Sequence, residues 1–186
     1  MPVQISLDLI AAENSAAVRA LASNGARLDT AAQAIRAADR VFLLGAGRSG
    51  IALQMTAMRL MHLGLTAHVV GEVTAPAIRG GDVLVVASGS GSTAGIVRAA
   101  QTAVDVGASV FAITADGASE VSKLATVTIL VEAARKLDRD SAVSAQYAGS
   151  LFEQTVVTIG DALFHALWTE SGLSADDLWP RHSNLE

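Results

Sequence analysis

The sequence predicts an α/β fold in which helices cover both faces of a doubly wound, five-stranded parallel sheet, giving three layers. Short and continuously apolar runs alternate with segments of helical periodicity, which is the pattern of parallel strands buried on both faces. Two of the runs are followed by loops rich in glycine and serine, and each loop leads into a helix. Five strands connected in this way usually take the order 2-1-3-4-5.

The individual elements follow from periodicity and from the residues that end them. A helical segment at residues 4–38, with a break near 23–25, precedes predicted strands at 41–44, 65–70, 83–87, 109–114 and 126–131. Helices are predicted at 49–63, 92–106, 118–124 and 147–171, and Gly64, Gly107 and Gly172 end three of them. The polar residues 133–145 predict a loop, and Pro76 with Gly80 and Gly81 indicates a connecting loop or a short helix.

The length and composition limit the class of protein. The 186 residues are expected to form one domain, residues 1–186, with a C-terminal tail at about 173–186. The chain has no cysteine, which excludes disulfides and thiolate chemistry, and no spacing of His, Asp or Glu indicates a metal site. The sequence shows no signal peptide and no membrane span, so a cytoplasmic enzyme or sensor is expected.

The charge and hydropathy indicate which surfaces the protein uses. A net charge of −5 argues against non-specific binding of nucleic acid. Only 17% of the residues are charged whereas 51% are hydrophobic, so few charged residues are available to cover the surface of a monomer of this size. Some apolar surface is therefore expected to be buried between subunits.

Two Ser/Gly loops, at residues 45–50 and 88–93, predict a site for a phosphate group. Glycine allows sharp turns that bring backbone N–H groups close to a ligand, and hydroxyls and helix N-termini add donors. The strands before them are β1 and β3 of the expected order, which places both loops where doubly wound sheets bind ligands. The residues predicted to bind phosphate are Gly47, Arg48, Ser49, Ser88, Gly89, Ser90, Gly91, Ser92 and Thr93.

Each of these features also has a simpler interpretation. In the second loop, Ser92 or Thr93 could cap the following helix, but four hydroxyls exceed that need. Arg48 either reinforces the phosphate site or forms a surface salt bridge. The first loop also fits the G-x-G-x-x-G dinucleotide fingerprint, with Glu72 as the acid for a ribose. Two anion sites would be redundant for a dinucleotide, and the chain leaves no room for a separate substrate domain.

Glu153 is the candidate general base. It lies on an apolar helical pattern, and no Lys or Arg occurs from residue 141 to residue 180, so no cation is available at helical spacing. A carboxylate that is desolvated without a cation binds a proton more readily, which suits a base near neutral pH. The alternative is an exposed carboxylate at the rim of a site.

Two histidines lie in distinctive surroundings. His62 shares a helical face with Met55 and Met58, a pattern that is usually explained by packing in a core. His182 lies in the C-terminal segment, close to Trp179 and Arg181, and these bulky groups predict a tail that docks onto the protein.

The chain resembles the sugar isomerase (SIS) domain family, whose members bind phosphosugars. The loop at 88–93 after an apolar strand matches the signature of that family. Closer similarity to the 6-phospho-3-hexuloisomerase family extends over the whole chain, in the segments 45–50, 58–64, 70–72 and 181–186. Ser92 departs from the pattern, since an acid such as Glu is common at this position.

The resemblance implies an isomerase that interconverts 3-hexulose 6-phosphate and fructose 6-phosphate, the second step of formaldehyde fixation in the ribulose monophosphate pathway. It implies the five-stranded SIS fold, no cofactor and a homo-tetramer. It makes Glu153 the expected catalytic base, His62 a catalytic helper and His182 a further candidate from the tail. A non-catalytic SIS sensor of phosphosugars and, less favoured, a nicotinamide-dependent enzyme remain as alternatives.

Overall fold

Five parallel strands form the central sheet of the computed structural model, which describes residues 2–133 and 144–185. The strands are β1 (Val41–Gly45), β2 (Ala67–Val69), β3 (Val83–Ala87), β4 (Ser109–Thr114) and β5 (Val127–Leu130). Their order is β2-β1-β3-β4-β5, as the sequence predicts. The register pairs Gly45 with Ala87 and Ala87 with Ile113, so β1, β3 and β4 end at one edge of the sheet.

The helices follow the predicted sequence of elements. They are α1 (Val3–Ala20), α2 (Gly25–Ala37), α3 (Arg48–Leu63), α4 (Ala94–Asp105), α5 (Glu120–Leu124), α6 (Ser150–Ser171) and α7 (Ala175–Leu178). The predicted break in the N-terminal segment is a 3₁₀ turn, Leu21–Asn24, and a second 3₁₀ turn, Trp179–Arg181, follows α7. None of the described helices is long and apolar enough to cross a membrane.

The boundaries of several elements differ from the prediction by one to three residues. Helix α6 begins at Ser150 rather than at residue 147, because Ala148 has a positive φ of 49° that a right-handed helix cannot include. Helix α4 begins at Ala94, two residues later than predicted, and β2 has three residues instead of six. Most of the predicted loop at 133–145 lies outside the described residues.

Helices cover the two faces of the sheet unequally. On one face, α1, α2, α3 and α6 bury the larger part of the core, with Leu43, Leu53 and Ile159 almost completely enclosed. On the other face, α4 and α5 pack on a smaller cluster that includes Leu84 and Val110. The alternation of strand side chains between these two clusters gives the three layers that the apolar runs predict.

The contact between α3 and α6 is the tightest packing that positions the site. A Cβ atom on Gly160 of α6 would lie 2.0 Å from Oγ1 of Thr56 on α3, so only glycine fits there. The two helices therefore approach closely enough for their N-terminal turns to meet beside the ends of β1 and β3.

Candidate active site

A cleft of about 660 Å³ opens at the common edge where β1, β3 and β4 end. This edge contains the point between β1 and β3 at which the chain reverses its direction of winding, where α/β sheets bind ligands. The cleft is lined by Ala46, Ser49, Ala87, Ser88, Gly89, Ser90, Ser92, Thr93, Ile96, Asp116, Ala118, Ser119, Glu120, Lys123, Gly149, Phe152 and Glu153.

The loop at 88–93 forms one wall and presents its hydroxyls to the cleft. The buried Ser88 accepts a hydrogen bond from the N–H of Gly91 at 3.2 Å, and its Oγ lies 3.2 Å from Oγ1 of Thr93. Thr93 occupies the N-cap position of α4 but makes no capping hydrogen bond with its side chain. Capping alone therefore does not account for the hydroxyls, which favours the interpretation as a ligand site.

The loop at 45–50 forms the opposite wall through Ala46 and the buried Ser49. Its glycines are required by a close approach, since a Cβ atom on Gly45 would lie 2.7 Å from the backbone nitrogen of Gly50. Gly47 has a φ of 58° directly before the first turn of α3. The fingerprint glycines thus have a structural reason that is independent of a dinucleotide.

Glu153 lies in the first turn of α6, and its side chain is 8% exposed. Its Oε2 lies 2.8 Å from Nε of Arg48, which comes from the first turn of α3. Helix α6 itself supplies no cation at helical spacing, as predicted, but the inference that the carboxylate lacks a cation is wrong, because Arg48 comes from a distant segment of the chain. Neither predicted role of Arg48 matches this geometry fully. Its side chain is 63% exposed, but its partner is buried, so the pair is not a salt bridge between two exposed groups. Arg48 also does not line the cleft.

Of the other predicted binding residues, Gly47 and Gly91 lie in the loops without lining the cleft. Gly91 has a φ of 59°, and a Cβ atom there would lie 2.1 Å from Oγ of Ser119. The contribution of both glycines is the shape of the loop. Ser49, Ser88, Gly89, Ser90, Ser92 and Thr93 all line the cleft.

His62 and His182 lie together, but away from the cleft. Their ring centroids are 4.1 Å apart, and the ring of Trp179 lies 4.9 Å from that of His182 in a tilted arrangement. Arg181 donates a hydrogen bond to the backbone oxygen of His62 at 3.1 Å, so the tail docks on the C-terminal end of α3 as predicted. Burial, with the nearby charges of His182 and Arg59, lowers the pKa of His62.

The separation of His62 from Glu153 follows from the length of α3. His62 lies fourteen positions after Arg48 in this helix, which corresponds to about 21 Å along its axis. A single copy of the described chain therefore does not bring His62 to the carboxylate that Arg48 holds.

Five polar, charged or aromatic residues that line the cleft were missed by the sequence analysis: Asp116, Ser119, Glu120, Lys123 and Phe152. Four of them follow β4, whose end lies beside the end of β3 at the same edge. The predicted order of strands contains this signal, since the loop after the neighbouring strand must border the same cleft. Phe152 lies next to Glu153 on α6, and its ring faces Gly89, where a Cβ atom would lie 3.6 Å from the ring.

The position of Glu72 bears on the dinucleotide alternative from the sequence. Glu72, the acid that a ribose would require, lies outside the cleft, in a separate and mainly apolar depression with Val70 and Pro76. Within the described part of the chain, no group of three or more His, Asp or Glu residues is arranged to hold a metal ion.

Comparison with known proteins agrees with this geometry. The SIS domain family matches residues 34–157. A 3-hexulose-6-phosphate isomerase from Mycobacterium gastri is 52% identical over 147 residues, which are 79% of this chain and 74% of the relative. The isomerase of the same name from Bacillus subtilis is 36% identical over 85% of this chain and 86% of its own length.

A solved structure with nearly the same fold comes from Methanococcus jannaschii. The comparison gives a TM-score of 0.84 and 28% identity, and it covers 97% of this chain and 99% of the other. For that protein a molecular function of 3-hexulose-6-phosphate isomerase was inferred from its crystal structure.

Proposed function

The chain belongs to the SIS domain family and to its 3-hexulose-6-phosphate isomerase branch, and from this premise we propose that it interconverts 3-hexulose 6-phosphate and fructose 6-phosphate. The observation that carries the proposal is one cleft holding both a hydroxyl-rich loop and the buried, Arg48-paired carboxylate of Glu153. The reaction belongs to formaldehyde fixation by the ribulose monophosphate pathway. Phosphorylated sugars are charged and therefore do not cross membranes unaided, so we place the reaction in the cytoplasm.

Glu153 acts as the general base on carbon. Moving the carbonyl from C3 to C2 passes through an enediol: a base removes the proton from C2 and returns it to C3, while a proton moves between the two oxygens. The ion pair with Arg48 keeps the carboxylate fixed at the wall of the cleft, where it can accept the proton from carbon. This chemistry requires no electron transfer.

The loop at 88–93 holds the phosphate of the substrate. Ser88, Ser90, Ser92 and Thr93 offer hydroxyl donors, and the N-terminus of α4 adds backbone N–H groups beside them. Ser49 faces them across the cleft. Binding a remote phosphate in this way positions C2 and C3 of the sugar against Glu153 and supplies binding energy to the transition state.

His62 serves the site of a neighbouring subunit in a homo-oligomer, which we propose to be a tetramer. Exposed apolar side chains continue along one face of α3: Ile51, Met55 and Met58 are 59%, 46% and 48% exposed. This stripe lies between Arg48 and His62 on the same helix face, with Met55 midway. Two copies of α3 packed antiparallel about Met55 would bring each His62 beside the partner's carboxylate.

In such a pair, His62 would exchange protons with the substrate oxygens, and His182 with Trp179 would lie at the subunit boundary. A neutral imidazole suits this role because it can donate and accept a proton. The lowered pKa of His62, caused first by burial, keeps the ring neutral at neutral pH. The low charged fraction of the chain supports the burial of surface between subunits.

Turnover of 3-hexulose 6-phosphate without added nicotinamide tests the proposal against both alternatives. An isomerase forms fructose 6-phosphate under these conditions. A sensor binds fructose 6-phosphate but leaves the hexulose unchanged, and a nicotinamide-dependent enzyme requires the cofactor. Fructose 6-phosphate is measured with a coupled dehydrogenase in a second, separate step, so that no nicotinamide is present during the reaction.

A further inference from the structure

Lys123 on α5 is a cation at the cleft that the proposed reaction has not used. Its side chain is exposed and lines the cleft together with Ser119 and Glu120. Among the described residues that line the cleft, it is the one with a positive charge. Ser119 and Lys123 are four positions apart, so they lie one turn from each other on the same side of this short helix.

The segment that carries Lys123 is hydrogen-bonded to the loop at 88–93. The N–H of Ala115 donates to the oxygen of Gly89 at 3.1 Å, and the N–H of Val121 donates to the oxygen of Gly91 at 3.0 Å. Thr114 adds a side-chain hydrogen bond to Gly89 at 3.3 Å. The backbone that carries Lys123 is therefore held beside the loop that presents the hydroxyls.

The acidic residues of the cleft would repel a phosphate group unless a cation offset their charge. A phosphate monoester carries a charge of about −1.5 to −2 at neutral pH. The cleft is lined by three acidic residues, Asp116, Glu120 and Glu153, which repel such a group. Arg48 is engaged with Glu153, so its charge is already compensated.

We propose that Lys123 binds the phosphate of the substrate from the side of the cleft opposite Ser49, as a point charge beside the loop at 88–93. This inference rests on the proposed function, because it assigns the phosphate end of that substrate. Lysine suits the role since its flexible stem lets the ammonium follow a phosphate that the hydroxyls and N–H groups have already placed.

The test compares Lys123→Met and Lys123→Arg with Arg98→Met. Methionine keeps the apolar stem and removes the charge. Arg98 lies exposed on the neighbouring helix α4 and does not line the cleft, so Arg98→Met makes the same change of net charge outside the cleft. For each variant, KM and kcat for 3-hexulose 6-phosphate are measured, together with the Kd of fructose 6-phosphate and of inorganic phosphate by calorimetry.

We expect Lys123→Met to raise KM and both dissociation constants about tenfold, which corresponds to one lost charge-assisted hydrogen bond, with kcat within about twofold of the wild type. Lys123→Arg should recover most of the affinity, and Arg98→Met should behave as the wild type. Affinities of Lys123→Met equal to those of Arg98→Met would overturn the assignment, as would a loss of kcat without a change in phosphate affinity. If the wild type does not turn over the hexulose, the proposed function fails, but the calorimetric comparison still decides the role of Lys123.

Discussion

The Nε atom of Arg48 lies 2.8 Å from Oε2 of Glu153, and this ion pair joins the first turn of α3 to the first turn of α6. Only glycine fits where these helices cross, because Gly160 packs directly on Thr56. The position of the proposed base is therefore set by a charge at one end of the helix pair and by close packing farther along it.

Replacing Arg48 by methionine should lower turnover more than it lowers stability. The guanidinium fixes Oε2 of Glu153 at the wall of the cleft, so without it the carboxylate is free to turn away from the substrate. We expect kcat at neutral pH to fall about ten- to hundredfold, with a smaller change in the free energy of unfolding. Steady-state kinetics and chemical denaturation measure the two effects.

Arg48→Lys is the matched control because it retains the charge and loses the planar guanidinium. It should keep most of the activity. A methionine variant with the kcat of the wild type would show that Arg48 does not position Glu153 for the reaction.

Removing two hydroxyls from the phosphate loop should weaken binding of the substrate. Each charge-assisted hydrogen bond contributes about 1.5–3 kcal/mol, so the double variant Ser90→Ala with Thr93→Ala should raise KM at least about tenfold. Thr30 and Thr169 are exposed hydroxyls whose bonds stay within their own helices, and their replacement by alanine provides the control. An unchanged KM in the loop variant would reject this phosphate site.

Mixed oligomers should show whether two subunits share a site. Each of the variants Glu153→Gln and His62→Asn is expected to have low activity alone. The two are mixed, unfolded and refolded together. If His62 acts on the partner's cleft, mixed pairs contain one intact site, and random assembly restores about a quarter of the wild-type rate. No recovery would place His62 outside the partner's site, and sedimentation as a 19.0 kDa monomer would exclude the shared site altogether.

The stability of the protein should depend on the titration of His62. Burial, then the charges of His182 and Arg59, lower the pKa of His62, so the unfolded chain binds a proton more tightly than the folded one. The free energy of unfolding should therefore fall as the pH drops below about 6.5, the ordinary value for histidine, until it passes the lowered value.

The measurement is chemical denaturation from about pH 7.5 to about pH 5.5 of the wild type, His62→Gln and His165→Gln. His62→Gln should lose less stability over this range than the wild type. His165→Gln is the matched control, because it removes an exposed imidazole from α6 by the same substitution. An equal pH dependence for the wild type and His62→Gln would contradict the account.

The sequence predicts the fold and the two Ser/Gly loops of the candidate site for physical reasons. Continuous apolar runs identify the buried parallel strands, and the Ser/Gly loops after β1 and β3 identify the edge where a ligand binds. The hydroxyl groups in the loop at 88–93 are themselves hydrogen-bond donors, so a phosphate site can be predicted there without knowledge of the packing. The stripe of α6, from Phe152 to Leu167, is likewise buried as its periodicity predicts.

The missed features depend on contacts between distant segments. Periodicity compares residues within one helix, so it cannot show that Arg48 reaches Glu153 from α3. The same limit applies to Lys123, which reaches the cleft because α5 follows β4 and not because of any local pattern. The distance from His62 to the cleft becomes visible only when the length and direction of α3 are known.

The most direct test of the account is the rate at which Glu153→Gln converts 3-hexulose 6-phosphate to fructose 6-phosphate, compared with the wild type. Glutamine keeps the shape of the side chain but cannot accept the carbon proton. The wild type should turn over the substrate without a cofactor, and the variant should fold, bind fructose 6-phosphate and lose about 10²–10⁴-fold in kcat. A wild type without turnover, or a variant with nearly normal turnover, would contradict the assignment of Glu153 as the base of an isomerase.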